Sequence, residues 1–319
     1  YFLYYVSIQS IEKVYRMVKP SVDAVDIDPK TGSTLGFYAF GADRPRVLIT
    51  STFDGRSAVS MYTSYLIMRG LEGLNRINGA VTILPVANPL AFRLSARVSP
   101  LDSQSLDRVF PGNERGTVTE RVSWEIWRRA SQSDYVINLD FSVQPCVTHA
   151  FALHREYIHV RNLVSQLGLP YAVQSSDIRG KLHVEAAHEG IPVSTIKMRG
   201  SLNQIDPQVA VEVRESILNF LRIKNIIPGE PIESSSIYTG MLQQVYVDAE
   251  GFFVPTVNPG EQIESGDLLG KVQDSTEIRA PFSGTVIAIS GMSYVFEGDR
   301  IAKIASPLVD HAVLEEEKE

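Results

Sequence analysis

Three short apolar runs, separated by stretches of helical spacing, constrain this chain more than any other feature. Residues 47–53, 80–86 and 135–139 are brief, rich in Val and Ile, and free of charge. Strands buried on both faces read this way. Between the first two runs, residues 58–70 place Val59, Tyr62 and Leu66 at helical intervals and end at Gly70. A helical pattern over 119–130 precedes the third. The alternation continues with a helix around 160–167, a strand at 193–196, and a helix over 207–223 with Val209, Val213, Ile217 and Leu221 four apart. This rhythm predicts an α/β fold, a mainly parallel sheet with flanking helices. Ligands of such sheets sit beyond the carboxyl ends of the strands, which here carry Asp54, Asn88, Asp140 and Lys197.

After Ile227 the texture changes. Pro228, Pro231 and three consecutive serines, Ser234 to Ser236, read as a linker. From 237 to 305 the chain is a series of short β-rich pieces punctuated by glycine. Pro259-Gly260-Glu261 through Ser265-Gly266-Asp267-Leu268 is echoed by Phe296-Glu297-Gly298-Asp299-Arg300-Ile301. Each Gly-Asp suits a tight turn that feeds a strand. The expected organisation is therefore an α/β domain over 1–227, a small all-β domain over 237–305, and an acidic tail over 306–319.

Charge narrows the function classes. The formal net charge is −7, from 30 Lys and Arg against 37 Asp and Glu. Part of that excess lies in the Glu-rich tail, and no basic stripe suggests nucleic-acid binding. No apolar run approaches the roughly 18 residues of a membrane span. The apolar opening Tyr1-Phe2-Leu3-Tyr4-Tyr5-Val6 lacks the basic flank and cleavage site of a signal peptide, and the sequence does not start with Met. The single Cys146 removes an internal disulfide and any Cys-rich zinc site from consideration. A cytoplasmic location is the default expectation.

A loop then identifies a family resemblance. Arg97-Val98-Ser99-Pro100-Leu101-Asp102, followed by Leu106-Asp107-Arg108-Val109-Phe110-Pro111-Gly112, resembles the R-x-x-P-x-D … D-L-N-R-x-F-P-G loop of succinylglutamate desuccinylase/aspartoacylase proteins. Ala87-Asn88-Pro89-Leu90-Ala91-Phe92 and Gly190-Ile191-Pro192 are similar to two further family segments. Residues 237–305 look like the barrel-sandwich module that ends many members. The resemblance spans about 36–305. It implies a carboxypeptidase-like α/β fold and zinc-dependent amide hydrolysis. In that chemistry two His and one Glu hold zinc, and a further Glu takes the proton of a metal-bound water. It also implies that Arg97 and Arg108, beside Asp107 and Asn88, grip a substrate carboxylate through the guanidinium fork.

The sequence departs from that pattern at every ligand. Asp54 and Ser57 stand where the family's first turn has His and Glu, Asp140 stands at its second His, and Lys197 at its catalytic Glu. Two aspartates suit a hard ion such as Mg²⁺ or Mn²⁺ better than zinc. An ammonium at the base position would instead neutralise both aspartates directly and repel a metal. The expectation is an ion-pair cluster with no cofactor; the competing one is a Mg²⁺ or Mn²⁺ site on Asp54 and Asp140. The arginines have their own bland alternative, bracing the loop against Asp102 and Asp107.

Other groups carry weaker signals. His149, His154 and His159 recur every five residues, on neither a helix nor a strand face, and read as loop or solvent histidines. His183, Glu185 and His188 read as an exposed amphipathic turn, with a metal pair as the alternative. Cys146 reads as packing. The stretch 273–281 has no Lys where biotinyl and lipoyl domains carry one, so the β module is expected to pack or to mediate oligomer contacts. The functional expectation is a degenerate, non-hydrolytic relative of N-acyl amino acid deacylases. It would serve as a binding, regulatory or partner subunit for a small carboxylate ligand, and as a homo-oligomer or with a protein partner. The alternatives are an active metal-dependent amide hydrolase and a structural component of a larger assembly.

Overall fold

The computed structural model describes residues 17–153, 157–176, 178–200, 202 and 204–308. The opening apolar residues, His154 and most of the acidic tail lie outside them. The chain begins with β1 (Ser21–Asp28) and β2 (Ser33–Gly41), then β3 (Arg46–Ser51), α1 (Ala58–Glu72), β4 (Ala80–Leu84) and α2 (Pro89–Arg93). A 3₁₀ turn at Leu106–Arg108 leads into α3 (Val118–Ala130), β5 (Tyr135–Phe141), β6 (His149–Ala152), α4 (Ile158–Leu167) and β7 (Tyr171–Gln174). There follow α5 (Leu182–His188), β8 (Val193–Met198) and α6 (Pro207–Ile223).

The elements that periodicity predicts are present within a few residues. Strands β3, β4, β5 and β8 are parallel neighbours, and β3 and β5 are almost wholly buried, which explains their uniform apolar sequence. Helix α3 starts at a capping box, with the Thr117 side chain on the Glu120 N–H and the Glu120 side chain on the Thr117 N–H. Helix α6 starts at Asp206, whose carboxylate accepts from the N–H groups of Gln208 and Val209, with Pro207 in the first turn. Its Val209, Val213, Ile217 and Leu221 are all buried, as their spacing requires. The sequence reading passes over β1, β2, β6, β7, α2 and α5. Most are short, and β1 is mostly solvent-exposed, so hydrophobic periodicity has little to register there.

The last part of the chain is all β: β9 (Ile237–Tyr246), β10 (Gly251–Pro255), β11 (Gln262–Ile263), β12 (Leu268–Val272), β13 (Thr276–Arg279), β14 (Gly284–Ile289), β15 (Ser293–Val295) and β16 (Arg300–Pro307). One twelve-stranded sheet runs β1-β2-β4-β3-β5-β8-β6-β7-β9-β16-β14-β11, and a four-stranded sheet runs β13-β12-β10-β15. The α/β part and the β part are thus continuous through the parallel pairing of β7 with β9. The apolar core is divided nonetheless. One cluster includes Leu48, Ile83, Val136 and Ile217; another includes Phe253, Leu269, Val286 and Ile304. A small third cluster of Val173, Ile287 and Ala305, with Val147 and Phe151 against it, fills the junction. Among the described residues no helix is long and apolar enough to cross a membrane.

Candidate functional site

A cavity of about 230 Å³ opens beyond the carboxyl ends of β3, β5 and β8. Sheet register brings its floor together. Asp140 on β5 is the Cα partner of Lys197 on β8, and Lys197 is the partner of His149 on β6. An acid, a base and an imidazole therefore share one row across three strands. Lys197 Nζ donates to Asp140 Oδ2, while Asp140 Oδ1 accepts from its neighbouring Phe141 N–H at 2.8 Å. Both oxygens of Asp140 are thus engaged.

Asp54 lies in the turn between β3 and α1. Arg56 grips it as a fork, with Nε 2.9 Å from Oδ1 and Nη2 2.6 Å from Oδ2, and the Arg56 N–H also bonds Oδ1. Fork-on-carboxylate pairing is among the strongest polar contacts between side chains. The hydrogen bond to Asp54 raises the Arg56 pKa further above its ordinary value, against the opposing effect of burial. The turn is held close to α2: the Gly55 N–H donates to Ala96 O, and a Cβ on Gly55 would stand 2.2 Å from the Ala91 carbonyl carbon. Only glycine fits there. The residue two positions before Asp54, Thr52, has φ 60°, a costly conformation for a β-branched residue, and its hydroxyl is tied to Pro85 O at 2.9 Å.

The expected ion-pair cluster is therefore two separate pairs. Lys197 neutralises Asp140 alone, and Asp54 belongs to Arg56, whose role was not anticipated. Arg56 follows Asp54 by two positions, and nothing in that spacing announces a fork. Ser57 is buried and bonded to Ser60, and does not line the cavity. Among the described residues no group of three or more His, Cys, Asp or Glu side chains is placed to hold a metal. A zinc ion, or Mg²⁺ or Mn²⁺ on Asp54 and Asp140, would have to displace both cations and repel Lys197. The residues present do not fit the metal that the resemblance implies.

Of the residues expected to grip a substrate, Arg97 and Asp107 line the cavity, but Arg108 and Asn88 do not. Asn88 is buried and spends its side chain as the N-cap of α2, accepting from the Ala91 N–H. The bracing alternative fails as well. Asp102 is taken by the Thr119 N–H and hydroxyl at 2.8 and 2.7 Å, and Asp107 accepts from the Ser105 hydroxyl at 2.6 Å. Arg97 makes no hydrogen bond or ion pair to any described residue.

The histidine readings need correction. His149 is a buried strand residue on the cavity wall, its Nδ1 2.8 Å from Val147 O, and burial lowers its pKa to about 4. It is neutral at physiological pH. His183 is buried too, between the hydroxyls of Ser175 (3.0 Å) and Thr195 (3.2 Å), with its pKa lowered to about 3 by desolvation. Glu185, also buried, holds Arg179 and the Gly180 N–H, while the ring of His188 meets the Tyr157 hydroxyl. Helix α5 is therefore largely buried rather than an exposed turn, with His183 held by hydroxyls and Glu185 by Arg179. His159 sits on α4 with Nε2 3.2 Å from Ala187 O. Cys146 is buried, as expected of packing.

The cavity's remaining wall comes from the C-terminal β part. The segment after β5 docks there: Gln144 Nε2 reaches Ser290 Oγ at 2.9 Å, Val147 N–H donates to Ile287 O, and Ile289 N–H donates to Pro145 O. This brings Ala288, Arg300 and Lys303 to the cavity. The β part thus contributes more than packing.

The comparisons with known proteins follow this geometry. The family description "Succinylglutamate desuccinylase/Aspartoacylase catalytic domain" matches residues 43–224. An N-alpha-acetyl-L-2,4-diaminobutyric acid deacetylase of Halomonas elongata is 27% identical over 250 residues, covering 72% of this chain and 73% of that protein. The product-bound ectoine utilization protein EutE of Ruegeria pomeroyi superposes with a TM-score of 0.78 at 21% identity, over 91% of this chain and 94% of that one. A succinylglutamate desuccinylase/aspartoacylase from Rhodobacter sphaeroides superposes with a TM-score of 0.79 at 18% identity, over 92% and 95%. At such identities the two structures establish the fold.

Proposed function

The chain belongs to the succinylglutamate desuccinylase/aspartoacylase family, and we propose that it is a non-hydrolytic member that keeps the family's cavity as a site for binding a small anion. The observation that carries this reading is the double ion pair. The carboxylates of Asp54 and Asp140, at the positions the family resemblance gives to zinc ligands, are already neutralised by Arg56 and Lys197. Amide hydrolysis by this family's chemistry needs an open metal position and a base for its water. An ammonium in the base's place donates protons and accepts none while charged. The neutral His149 adds no metal partner, since among the described residues it lacks a nearby set of acids free to complete a site.

Zinc titration of the purified full-length protein, with release of acetate from N-acetylated diamino acids followed in parallel, tests the reading. No stoichiometric zinc and no turnover is the expected result. Stoichiometric zinc, or turnover that EDTA abolishes and Mn²⁺ restores, would overturn it.

A further inference from the structure

The charges on the cavity wall do not balance. Five cations, Arg56, Arg97, Lys197, Arg300 and Lys303, face three carboxylates, Asp54, Asp107 and Asp140. Two cations are consumed by Asp54 and Asp140. Arg97, Arg300 and Lys303 remain against Asp107 alone, and Asp107 already accepts from Ser105. Lys181, in an adjoining hollow of about 50 Å³, faces the same Asp107 and is left out of this count. The cavity therefore carries two surplus positive charges in a chain whose overall charge is −7. Against that background, a local surplus of the opposite sign marks a place where an anion lowers the electrostatic energy.

Backbone geometry accounts for how the surplus is assembled. Arg300 and Lys303 are three residues apart on β16, an odd spacing that puts side chains on opposite faces of a regular strand. The register of β16 against β9 slips between Arg300 and Ala302, where β16 carries one extra residue. A bulge of this kind reverses the alternation downstream, so Arg300 and Lys303 both reach the cavity. Arg300 is further steadied by Gln244 Oε1 at 3.0 Å. Lys303 makes no hydrogen bond or ion pair to any described residue.

We propose that the cavity binds a small ligand carrying two negative charges, held between Arg97 of the α/β part and Arg300 and Lys303 of the C-terminal β part. This rests on the reading that Asp54 and Asp140 stay with their side-chain cations and take no metal. Two features limit the ligand. The cavity, at about 230 Å³, is smaller than the roughly 300–1,000 Å³ of sites for drug-sized molecules. Its walls offer donors at well-separated points from both parts of the chain, which suits a short dicarboxylate or a phosphate monoester. Burial, with repulsion from Arg300 and Lys197 behind it, lowers the Lys303 pKa to about 8. A bound anion relieves that repulsion and keeps the ammonium charged to higher pH. Such a ligand would also cross-link the α/β part to the β part.

Calorimetric titration of the full-length protein with malonate, succinate and inorganic phosphate tests the proposal, alongside Lys303→Gln, Arg97→Gln and the distant control Lys271→Gln. At least one anion should bind the parent and the control equally, and bind each cavity variant roughly tenfold or more weakly, as loss of a charge-assisted contact implies. A preference for the carboxylates or for phosphate identifies which source of the dianion the site takes. Circular dichroism checks folding; should Lys303→Gln unfold, Arg97→Gln, on an exposed loop, carries the comparison. No binding of any of the three anions, or equal binding by parent and cavity variants, overturns the proposal. The outcome is separable from that of the zinc titration, because metal-dependent turnover would refute the non-hydrolytic reading while anion affinity is measured without metal.

Discussion

At the scale of single residues, the site depends on which cation each aspartate meets. Lys197 and Asp140 are about one-quarter and one-sixth exposed, so their attraction is only partly screened and neither tolerates losing its partner. Lys197→Met should cost about 1–3 kcal/mol in chemical denaturation, the range for leaving a partly buried charged group unpaired. Asp140→Asn should cost a similar amount, and the double substitution less than the sum of the two. Lys197→Glu should be worse than Lys197→Met, since it sets two carboxylates side by side. Additive single effects would show that the pair is not coupled. Asp54 differs in kind. Its fork with Arg56 is local, two residues along one turn, and survives any rearrangement that preserves the turn.

At the scale of elements, the turn between β3 and α1 is the most constrained part of the site. Gly55 lies against the backbone of α2 so closely that a methyl group would overlap the Ala91 carbonyl. Gly55→Ala should therefore push α2 and the turn apart, at a cost of about 1–3 kcal/mol for overpacking. A Tm unchanged from the parent would contradict that close approach. The bulge in β16 has the opposite character. It lies in a strand whose neighbours are paired on both sides, and it re-aims one side chain with little disturbance to the core, where Ile301, Ala302 and Ile304 are fully buried.

At the scale of the whole molecule, buried histidines govern the response to acid. His149 and His183 have pKa values lowered to about 4 and about 3 by desolvation, against 6.5 in an unfolded chain. Between pH 6.5 and 4 the unfolded chain takes up protons on these rings and the folded chain does not, so stability falls as pH falls through that window. Each ring should remove about 2 kcal/mol by pH 5. Denaturation at pH 7 and pH 5 measures the slope, and His149→Gln should flatten it; equal stability at the two pH values would contradict the burial of both rings neutral.

Much of this molecule was legible before folding was considered. The α/β class, the central strands, helices α1, α3, α4 and α6, and the change of texture near Ile227 follow from local periodicity and turn chemistry. A residue's spacing along the chain states which face it shares, and buried strands and amphipathic helices carry that signal strongly. The loop over 97–112 that carries the family resemblance was legible as well, because motifs are contiguous. What the cavity residues touch was not. His149 falling in register with Lys197, and Arg300 and Lys303 arriving from the far end of the chain, depend on strand register, on a bulge, and on the docking of the 142–147 segment against β14. These are contacts between residues up to 157 positions apart, and no local pattern encodes them. The sequence by itself determined the fold class and the family; the tertiary structure alone decided that the cavity beyond the strand ends carries an excess of cations, because charge at a site is a sum over neighbours in space.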